Sequence, residues 1–235
     1  MRILALETST EYCSVALLQD GAALERFELV GQKHSELLMP MLDGLLKASG
    51  VTLAQLDGIA FGCGPGSFTG VRIACGVTQG LAFGAGLPVA GVCTLLALAE
   101  AQYQLAGRQR VIAALDARMS ELYFAAYQRN ADGWVTVCEP CLCKPEEAPE
   151  LPGGDWFGAG SGFTAHGEAL QVRYAGQLAG VDAATVPQAA AIAALGEAMF
   201  ARGEGVAAEL ALPLYLRDKV ALKTAEREQL AAGKP

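Results

Sequence analysis

The sequence predicts an α/β protein with two similar halves, and three observations support this. Strand-like and helix-like segments alternate through the first hundred residues. The apolar strand Arg110–Asp116 then repeats the pattern of Arg2–Glu7, and both end on a carboxylate. In each half a second strand and an Asp-Gly turn follow, Asp20-Gly21 and Asp132-Gly133. The match is short and needs a gap, so chance similarity is the alternative to duplication.

The first half opens with three predicted strands. Arg2–Glu7 is apolar, Cys13–Gln19 follows it, and the tight turn Asp20-Gly21 leads into Ala22–Val30. Such a succession of short strands joined by turns is typical of antiparallel pairing. We therefore expect these segments to form one side of a sheet.

The next segment, Ser35–Ser49, is predicted to be a helix that ends at Gly50. Its apolar residues recur at helical spacing; they are Leu38, Met41, Leu42, Leu45 and Leu46. Leu37 and Met39 lie off this stripe. The helix is therefore apolar on more than one side, which suits a helix that covers a partner as well as its own core.

The remaining elements follow from the same patterns. We predict strands at Leu56–Cys63, Pro88–Val92, Arg110–Asp116, Leu122–Tyr127 and Trp134–Cys138, and helices at Gly70–Gly84, Leu95–Leu105 and Ala189–Phe200. We expect an irregular segment over 140–154 and a second glycine-rich turn over 158–162. The domain prediction is 1–106, completed by the helix within 189–217, then 107–188, with a charged tail over 218–235.

Composition narrows the function classes. Hydrophobic residues make up 52% of the 235 residues, which excludes disorder for most of the chain. Seventeen Lys and Arg against 25 Asp and Glu give a net charge of −8, and a negative charge disfavours binding of nucleic acid. Seven cysteines and no signal peptide favour a reducing, cytoplasmic location. The uncharged stretch 73–99 is broken by glycines and Pro88, so we expect no membrane span.

The most distinctive motif is the glycine-rich loop from Gly62 to Gly70, between a predicted strand and helix. Exposed amides and a helix N-terminus would favour an anion there, and a tight structural turn is the alternative. Glu7 and Asp116 are either ligands of Mg²⁺ on a nucleotide or ordinary strand ends. The candidate phosphate or nucleotide contacts are Glu7, Thr8, Ser9, Gly64, Gly66, Ser67, Thr69 and Asp116.

Gly76, Gly80 and Gly84 recur every fourth residue and share one face of the helix that follows. Three glycines cost roughly 3 kcal/mol relative to alanine in a helix interior. A close neighbour would offset this cost, either the chain's own sheet or another helix.

A metal site and a catalytic set are both poorly supported. Cys138, Cys141 and Cys143 lack the fourth ligand of a structural zinc site, and the only histidines are His34 and His166. No nucleophile with an adjacent base can be identified. We therefore expect no metal and no catalytic residues.

Several motifs together resemble the TsaB (YeaZ) family; they are residues 3–9, 34–38, 64–74, 116–119 and 213–217. The resemblance spans residues 1 to 217. It implies the actin/sugar-kinase/Hsp70 (ASKHA) fold, with two RNase H-like domains. Members of this family are partners of TsaD in making threonylcarbamoyladenosine on tRNA.

The catalytic members of the superfamily carry a His-x-x-x-His metal pair, and Thr94 and Leu98 stand at those positions here. Neither side chain replaces an imidazole ligand. The resemblance therefore implies a non-catalytic subunit that binds and activates TsaD for transfer to adenosine 37 of tRNAs reading codons that start with A. The alternatives are a nucleotide-binding ATPase or kinase of the same fold and, behind it, a glycoprotease-like peptidase.

The resemblance also implies partners and an interface formed by the first two helices. The residues assigned to it are His34, Leu38, Met41, Leu42, Leu45, Arg72, Gly76, Gly80 and Phe83. TsaD is the expected heterodimer partner, the ATPase TsaE a further one, and a homodimer is expected when the chain is alone. We expect the chain to contact tRNA only as part of the complex. We expect it to have no cofactor of its own, and ATP or ADP to bind within the assembled complex.

Overall fold

The structure is a computed structural model that describes residues 1–217 of the chain. The predicted charged tail, 218–235, lies outside the described residues. The described part forms two halves, each built on a five-stranded sheet.

The first sheet consists of β1 (Arg2–Glu7), β2 (Tyr12–Gln19), β3 (Ala22–Leu29), β4 (Gly58–Gly64) and β5 (Val89–Cys93), in the order β3-β2-β1-β4-β5. Neighbours among the first three strands are antiparallel, whereas β1, β4 and β5 run parallel. The parallel strands require helical crossovers, and these supply the helices that cover the sheet.

Helices cover both faces of the first sheet; they are α1 (His34–Ser49), α2 (Phe68–Ala85), α3 (Thr94–Ala106) and α5 (Ala189–Ala201). Alternate residues of β1 point to opposite faces. Leu4 and Leu6 pack with α1 and α2, whereas Ile3 and Ala5 pack with α5. Because β1, β2, β4 and β5 are covered on both sides, most of their residues are apolar and buried.

The second sheet has the same plan. It consists of β6 (Arg110–Asp116), β7 (Leu122–Asn130), β8 (Gly133–Cys143), β9 (Trp156–Ala159) and β10 (Leu178–Asp182), in the order β8-β7-β6-β9-β10. Neighbours among β6, β7 and β8 are antiparallel, whereas β9 and β10 run parallel to β6. The helix α4 (Gly162–Arg173) joins β9 to β10. Strand order and direction are therefore identical in the two halves.

Helix α3 joins the halves, and a later segment packs back on the first half. Helix α3 contacts β4 and β5 of the first sheet and also β6, β7 and β9 of the second. The segment after α5 returns over α2, where the Ala211 carbonyl accepts hydrogen bonds from Gln79 Nε2 at 2.9 Å and Cys75 Sγ at 3.4 Å. It ends beside β4, where the Leu214 amide donates to the Cys63 carbonyl at 2.7 Å.

The predicted elements of the first half agree with the structure to within a few residues, whereas the second half differs more. Strand β8 continues to Cys143, although an irregular segment was expected from Pro140. The expected glycine-rich turn over 158–162 is confined to Gly160 and Ser161, between β9 and α4. Strands β9 and β10 and the helix α4 were not predicted. In the described residues, no helix combines the length and hydropathy needed to cross a bilayer.

Candidate functional site

A cleft of about 1060 Å³ lies between the two halves. The first half lines it with residues 9–12 and 65–71, and the second half with residues 115–119 and the start of α4. Residues 214–217 line it as well. The carboxyl ends of β1, β4 and β6 therefore meet there, at the edge of the sheets where α/β proteins commonly bind ligands.

The glycine-rich loop between β4 and α2 is held against the turn that follows β1. The Ser67 amide donates to the Ser9 carbonyl at 2.7 Å, and the Ser67 side chain caps α2 by accepting from the Gly70 amide at 3.4 Å. A Cβ on Gly66 would lie 2.6 Å from the Ser9 Cβ. Glycine is thus required at Gly66 because two backbone segments meet there.

A second close approach involves Thr8. Its hydroxyl donates to the Gly70 carbonyl at 2.7 Å, and a Cβ on Gly70 would lie 1.9 Å from the Thr8 carbonyl oxygen. Gly64, with φ of +113°, packs against the Leu214 carbonyl in the same way. Thr8 and Gly64 are therefore used in building the loop, and neither lines the cleft.

Glu7 is buried behind this loop and does not line the cleft. Its Oε1 accepts a hydrogen bond from the Ser9 amide, whereas its Oε2 has no hydrogen-bond partner among the described residues. Burial raises the pKa of the Glu7 carboxyl to about 7. A Cβ on Gly62 would lie 1.8 Å from Oε2, so the carboxylate occupies the space that a larger residue would fill.

Ser9, Gly66, Ser67 and Thr69 do line the cleft, as does Asp116. Ser9 is buried, and its Oγ has no hydrogen-bond partner among the described residues. An unpaired hydroxyl beside the N-terminus of an 18-residue helix is suited to a hydrogen bond with an anion. Of the two predicted strand-end carboxylates, only Asp116 is open to a ligand in the cleft.

Asp116 is already paired. Its carboxylate accepts from the Arg118 amide at 2.9 Å and from Arg118 Nη1 at 3.1 Å. The amide of Asp116 donates to Ser161 Oγ at 3.1 Å, which ties β6 to the start of α4. In the described residues, no group of three or more His, Cys, Asp or Glu side chains is placed to hold a metal ion.

The turn after β6 has an unusual backbone. Arg118, Met119 and Ser120 have φ angles of 63°, 55° and 59°, in the left-handed region that side-chain-bearing residues rarely adopt. The turn is held by Arg217, which donates to the Ala117 carbonyl at 3.1 Å and pairs with Glu121 at 2.7 Å. This strained turn places Arg118 and Met119 on the wall of the cleft.

The predicted interface residues of α1 are buried inside the chain. Leu38, Met41, Leu42 and Leu45 pack against the first sheet and are at most 5% exposed. His34 is also buried, with Nε2 3.0 Å from the Tyr12 carbonyl oxygen. In this conformation none of the five is available to a partner, because the apolar stripe is the inward face of α1.

The predicted residues of α2 are on the surface. Arg72, Gly76, Gly80 and Phe83 are exposed, and Phe83 is 79% exposed. Among residues 1–217, nothing lies within 4 Å of Cβ atoms built on Gly76, Gly80 and Gly84. Packing on the chain's own sheet, which was one explanation of the glycine repeat, is therefore wrong for the described part of the chain. With Met39 of α1, also exposed, these residues form a surface that we call the α1–α2 face.

Comparison with known proteins identifies the family. A family model described as "TsaD: tRNA N6-adenosine threonylcarbamoyltransferase" matches residues 28–225. The chain is 42% identical to tRNA threonylcarbamoyladenosine biosynthesis protein TsaB of Escherichia coli (strain K12), over 95% of this chain and 97% of that protein. It is 38% identical to the protein of that name from Haemophilus influenzae, over 95% and 96%. The chain belongs to the TsaB family.

The solved structure named YeaZ from Pseudomonas aeruginosa is also similar to this TsaB-family chain. The two superpose with a TM-score of 0.84 and are 45% identical, over 92% of this chain and 99% of that structure. The similarity therefore extends to the fold of nearly the whole chain. Each of the five motifs that carry the resemblance to the TsaB family contributes at least one residue to the lining of the cleft; they are 3–9, 34–38, 64–74, 116–119 and 213–217.

Thr94 and Leu98, which were compared with a pair of metal-binding histidines above, are both on α3. Thr94 and Leu98 are completely buried. The Thr94 hydroxyl donates to the Pro65 carbonyl of the glycine-rich loop, and Leu98 packs with Val111 of β6. Thr94 thus supports the loop, and Leu98 fills the apolar layer between α3 and the second sheet.

Three features of the site were missed by the sequence analysis. These are the left-handed turn after β6, the unpaired Ser9 hydroxyl and the strap formed by residues 208–217. The short polar segment 116–121 signalled a turn, but its sequence carries no glycine to mark the positive φ angles. The contacts of the strap join residues more than a hundred positions apart, which no local pattern predicts.

Proposed function

We propose that this chain is a non-catalytic subunit of tRNA threonylcarbamoyladenosine biosynthesis. In this proposal it binds TsaD and activates threonylcarbamoyl transfer to adenosine 37 of tRNAs reading codons that start with A. The observation that carries the proposal is the pair Thr94 and Leu98. Both stand where imidazole ligands are expected in the catalytic relatives, and both have structural contacts instead.

The matching strand orders support the fold part of the proposal. Each half has three antiparallel strands followed by two parallel ones, which agrees with two RNase H-like domains of the ASKHA fold. In this proposal a gene duplication produced the catalytic and the non-catalytic members alike. The chain has then kept the scaffold without the metal ligands.

We propose that the α1–α2 face binds TsaD. Three glycines reduce the helical stability of α2 by roughly 3 kcal/mol relative to alanine. Because no group of the described chain occupies the space beside them, the chain itself gains no packing in return. A helix of a second protein can approach such a stripe closely, and the exposed Phe83 supplies apolar area beside it. In the absence of TsaD the same face would serve a homodimer.

Binding measurements with purified TsaD test this surface. Gly80→Arg puts a long charged side chain on the α1–α2 face, and we expect it to weaken binding of TsaD at least tenfold. Gly167→Arg on α4 is the matched control, because a Cβ there also meets nothing within 4 Å. Equal affinity of wild type, Gly80→Arg and Gly167→Arg would contradict the proposed surface.

The functional part is tested by omitting single components from a tRNA modification assay. We expect no modification without TsaD and strongly reduced modification without this chain. Modification of tRNA by this chain alone, given a divalent cation and the activated adenylate, would contradict the non-catalytic role. The small ATPase TsaE is a further expected component, and tRNA would be contacted only by the assembly.

A second candidate function, nucleotide binding by the chain itself, is favoured by the Ser9 hydroxyl. It is buried and unpaired within the described residues, and it lies beside the N-terminus of α2 in the cleft. Against this, Glu7 is shut off from the cleft and Asp116 is paired with Arg118. We therefore propose that ATP or ADP binds only in the assembly. Tight binding of Mg²⁺-ATP by the isolated chain in calorimetry, with turnover, would instead favour the kinase or ATPase hypothesis.

A further inference from the structure

Three cysteine thiols lie on one face of β8, the outer strand of the second sheet. Cys138, Cys141 and Cys143 are opposite Ala126, Phe124 and Leu122 of β7. These three partners alternate along β7 and are buried in one cluster, so they share a face. Residues directly opposite in an antiparallel pair point the same way, and all three thiols therefore project from that face.

An irregularity in β8 makes this arrangement possible. Cys138 and Cys141 are three residues apart, so in a regular strand they would point to opposite faces. The pairing register shifts between Phe124 and Ala126, where Glu139 and Pro140 together oppose one residue of β7. This bulge turns Cys138 back to the face that carries Cys141.

The three thiols differ from most of the other cysteines in accessibility. Cys13, Cys63 and Cys75 are buried, Cys93 is partly exposed, and burial raises the pKa of all four thiols. Cys138, Cys141 and Cys143 are partly exposed because β8 has a neighbour on one side only. A small oxidant in solvent can therefore reach these three.

Cys141 is the most readily ionised member of the group. Cys138 and Cys143 lie on either side of Cys141 along β8, and interaction with their thiols lowers the pKa of Cys141. The same interaction raises the pKa values of Cys138 and Cys143, and the Cys138 thiol donates to the Glu139 carbonyl at 3.6 Å. A thiolate flanked by two thiols is the arrangement of a reactive cysteine with resolving partners.

We propose that Cys138, Cys141 and Cys143 form a peroxide-reactive thiol site, in which Cys141 is oxidised first and forms a disulfide with Cys138. The Cys141 thiolate attacks one oxygen of hydrogen peroxide, the O–O bond breaks, and a sulfenic acid and one water form after protonation. The Cys138 sulfur then attacks the sulfenic sulfur, the S–O bond breaks, and a second water leaves. Two thiols lose two electrons and two protons, and the peroxide is reduced to two waters.

Cys138 is the preferred partner because of the bulge. A disulfide between Cys141 and Cys143 would shorten a regular stretch of β8 and break its pairing with β7. Between Cys138 and Cys141 that pairing is already interrupted, and the extra residue allows the backbone to adjust. The site is on the second half, away from the α1–α2 face, and it does not depend on the proposed function.

Peptide mapping of the full chain tests the site. After treatment with hydrogen peroxide, free thiols are blocked by alkylation and the denatured chain is digested with trypsin. Residues 130–173 form one tryptic peptide, because Lys144 precedes a proline, and it contains these three cysteines and no others. We expect this peptide to lose two hydrogens and to retain one alkylatable thiol, while the peptides containing Cys13, Cys63 and Cys75 stay fully alkylated.

Three variants assign the pair. We expect Cys143→Ser to form the disulfide as the wild type does, and Cys138→Ser and Cys141→Ser to lose it. Oxidation of Cys138→Ser at the wild-type rate would overturn the assigned pair. No loss of hydrogen in the wild-type peptide, or faster oxidation of the buried cysteines, would overturn the site.

Discussion

At the scale of single residues, Glu7 shows how a functional-looking position can be structural. It ends β1 at the edge where ligands are expected, yet the loop from Gly62 to Gly70 closes over it. Its carboxyl is completely buried, with one oxygen unpaired in the described chain. The charged form is therefore unfavourable in the folded protein.

The raised pKa of Glu7 predicts how stability depends on pH. Below pH 4.5 the Glu7 carboxyl is neutral in the folded and in the unfolded chain, and its burial does not oppose folding. As the pH rises through about 7, the free energy of unfolding decreases, because the unfolded chain ionises more readily than the folded one. The shift of the pKa from 4.5 to about 7 corresponds to a decrease of about 3 kcal/mol. We expect the free energy of unfolding, from urea titrations at pH 5 and pH 8, to differ less in Glu7→Gln than in the wild type.

A matched control for this measurement is Glu11→Gln, because Glu11 is exposed on the other side of the same turn. We expect it to keep the wild-type pH dependence. An unchanged pH dependence in Glu7→Gln would show that the burial of Glu7 does not control stability.

At the scale of elements, α2 is the helix with the most informative surface. We expect Gly76→Ala and Gly80→Ala each to raise the free energy of unfolding by about 1 kcal/mol, because the added Cβ meets open space and alanine is the better helix former. If the α1–α2 face packs closely on TsaD, the same substitutions will weaken binding. Thermal unfolding should therefore show higher stability, whereas binding assays should show lower affinity for TsaD. A gain in both would contradict close helix packing at this face.

Gly62→Ala is the contrasting variant in the same half. A Cβ there would overlap the Glu7 carboxylate, so this buried side chain would have to give up its position and its hydrogen bond from the Ser9 amide. We expect a loss of about 2 kcal/mol or more in the free energy of unfolding. Wild-type stability in this variant would show that the Glu7 side chain can leave its position.

The elements differ in how far their sequences predict them. The strands of the first half were predictable because they are apolar runs bounded by turns or glycines. Strand β10 alternates intermediate with exposed residues, and α4 has few apolar residues and a non-helical backbone at His166, so neither carried a clear pattern. The apolar stripe of α1 was found correctly, but its spacing cannot show which partner it covers, and it faces the chain's own sheet.

The candidate site was predictable to the same extent. Motif spacing placed the glycine-rich loop and Asp116 at the cleft. It could not show that Glu7 is closed off, because that depends on the approach of Gly62 to Glu7 and of Gly66 to Ser9, between segments far apart in the chain.

At the scale of the whole molecule, Glu100 of α3 connects the two halves. Its buried carboxylate accepts hydrogen bonds from Arg129 at 2.8 Å and Trp134 at 2.7 Å, both in the second half. Arg129 also lies over the ring of Tyr103, 4.0 Å from its centroid. Helix α3 is thus anchored to the second sheet through a paired charge, while it also packs on the first.

This connection predicts how the molecule unfolds. Both tryptophans, Trp134 and Trp156, are in the second half, so their fluorescence reports on that half, whereas far-ultraviolet circular dichroism reports on the whole chain. We expect the two signals to coincide in the wild type. In Glu100→Ala an unpaired Arg129 remains, and we expect a loss of about 2 to 3 kcal/mol, with the fluorescence transition at lower temperature.

The control is Glu168→Ala, which removes an exposed carboxylate from α4. It should leave both transitions in place. Coincident transitions in Glu100→Ala would mean that the two halves remain coupled without this carboxylate.

The left-handed turn at Arg118, Met119 and Ser120 has a consequence for protein engineering. Each residue there costs on the order of 1 to 2 kcal/mol relative to an ordinary right-handed conformation. Glycine at Ser120 would remove most of that local cost, although its greater freedom in the unfolded chain would cancel part of the gain. The sequence therefore leaves room for a gain in thermal tolerance at the rim of the cleft.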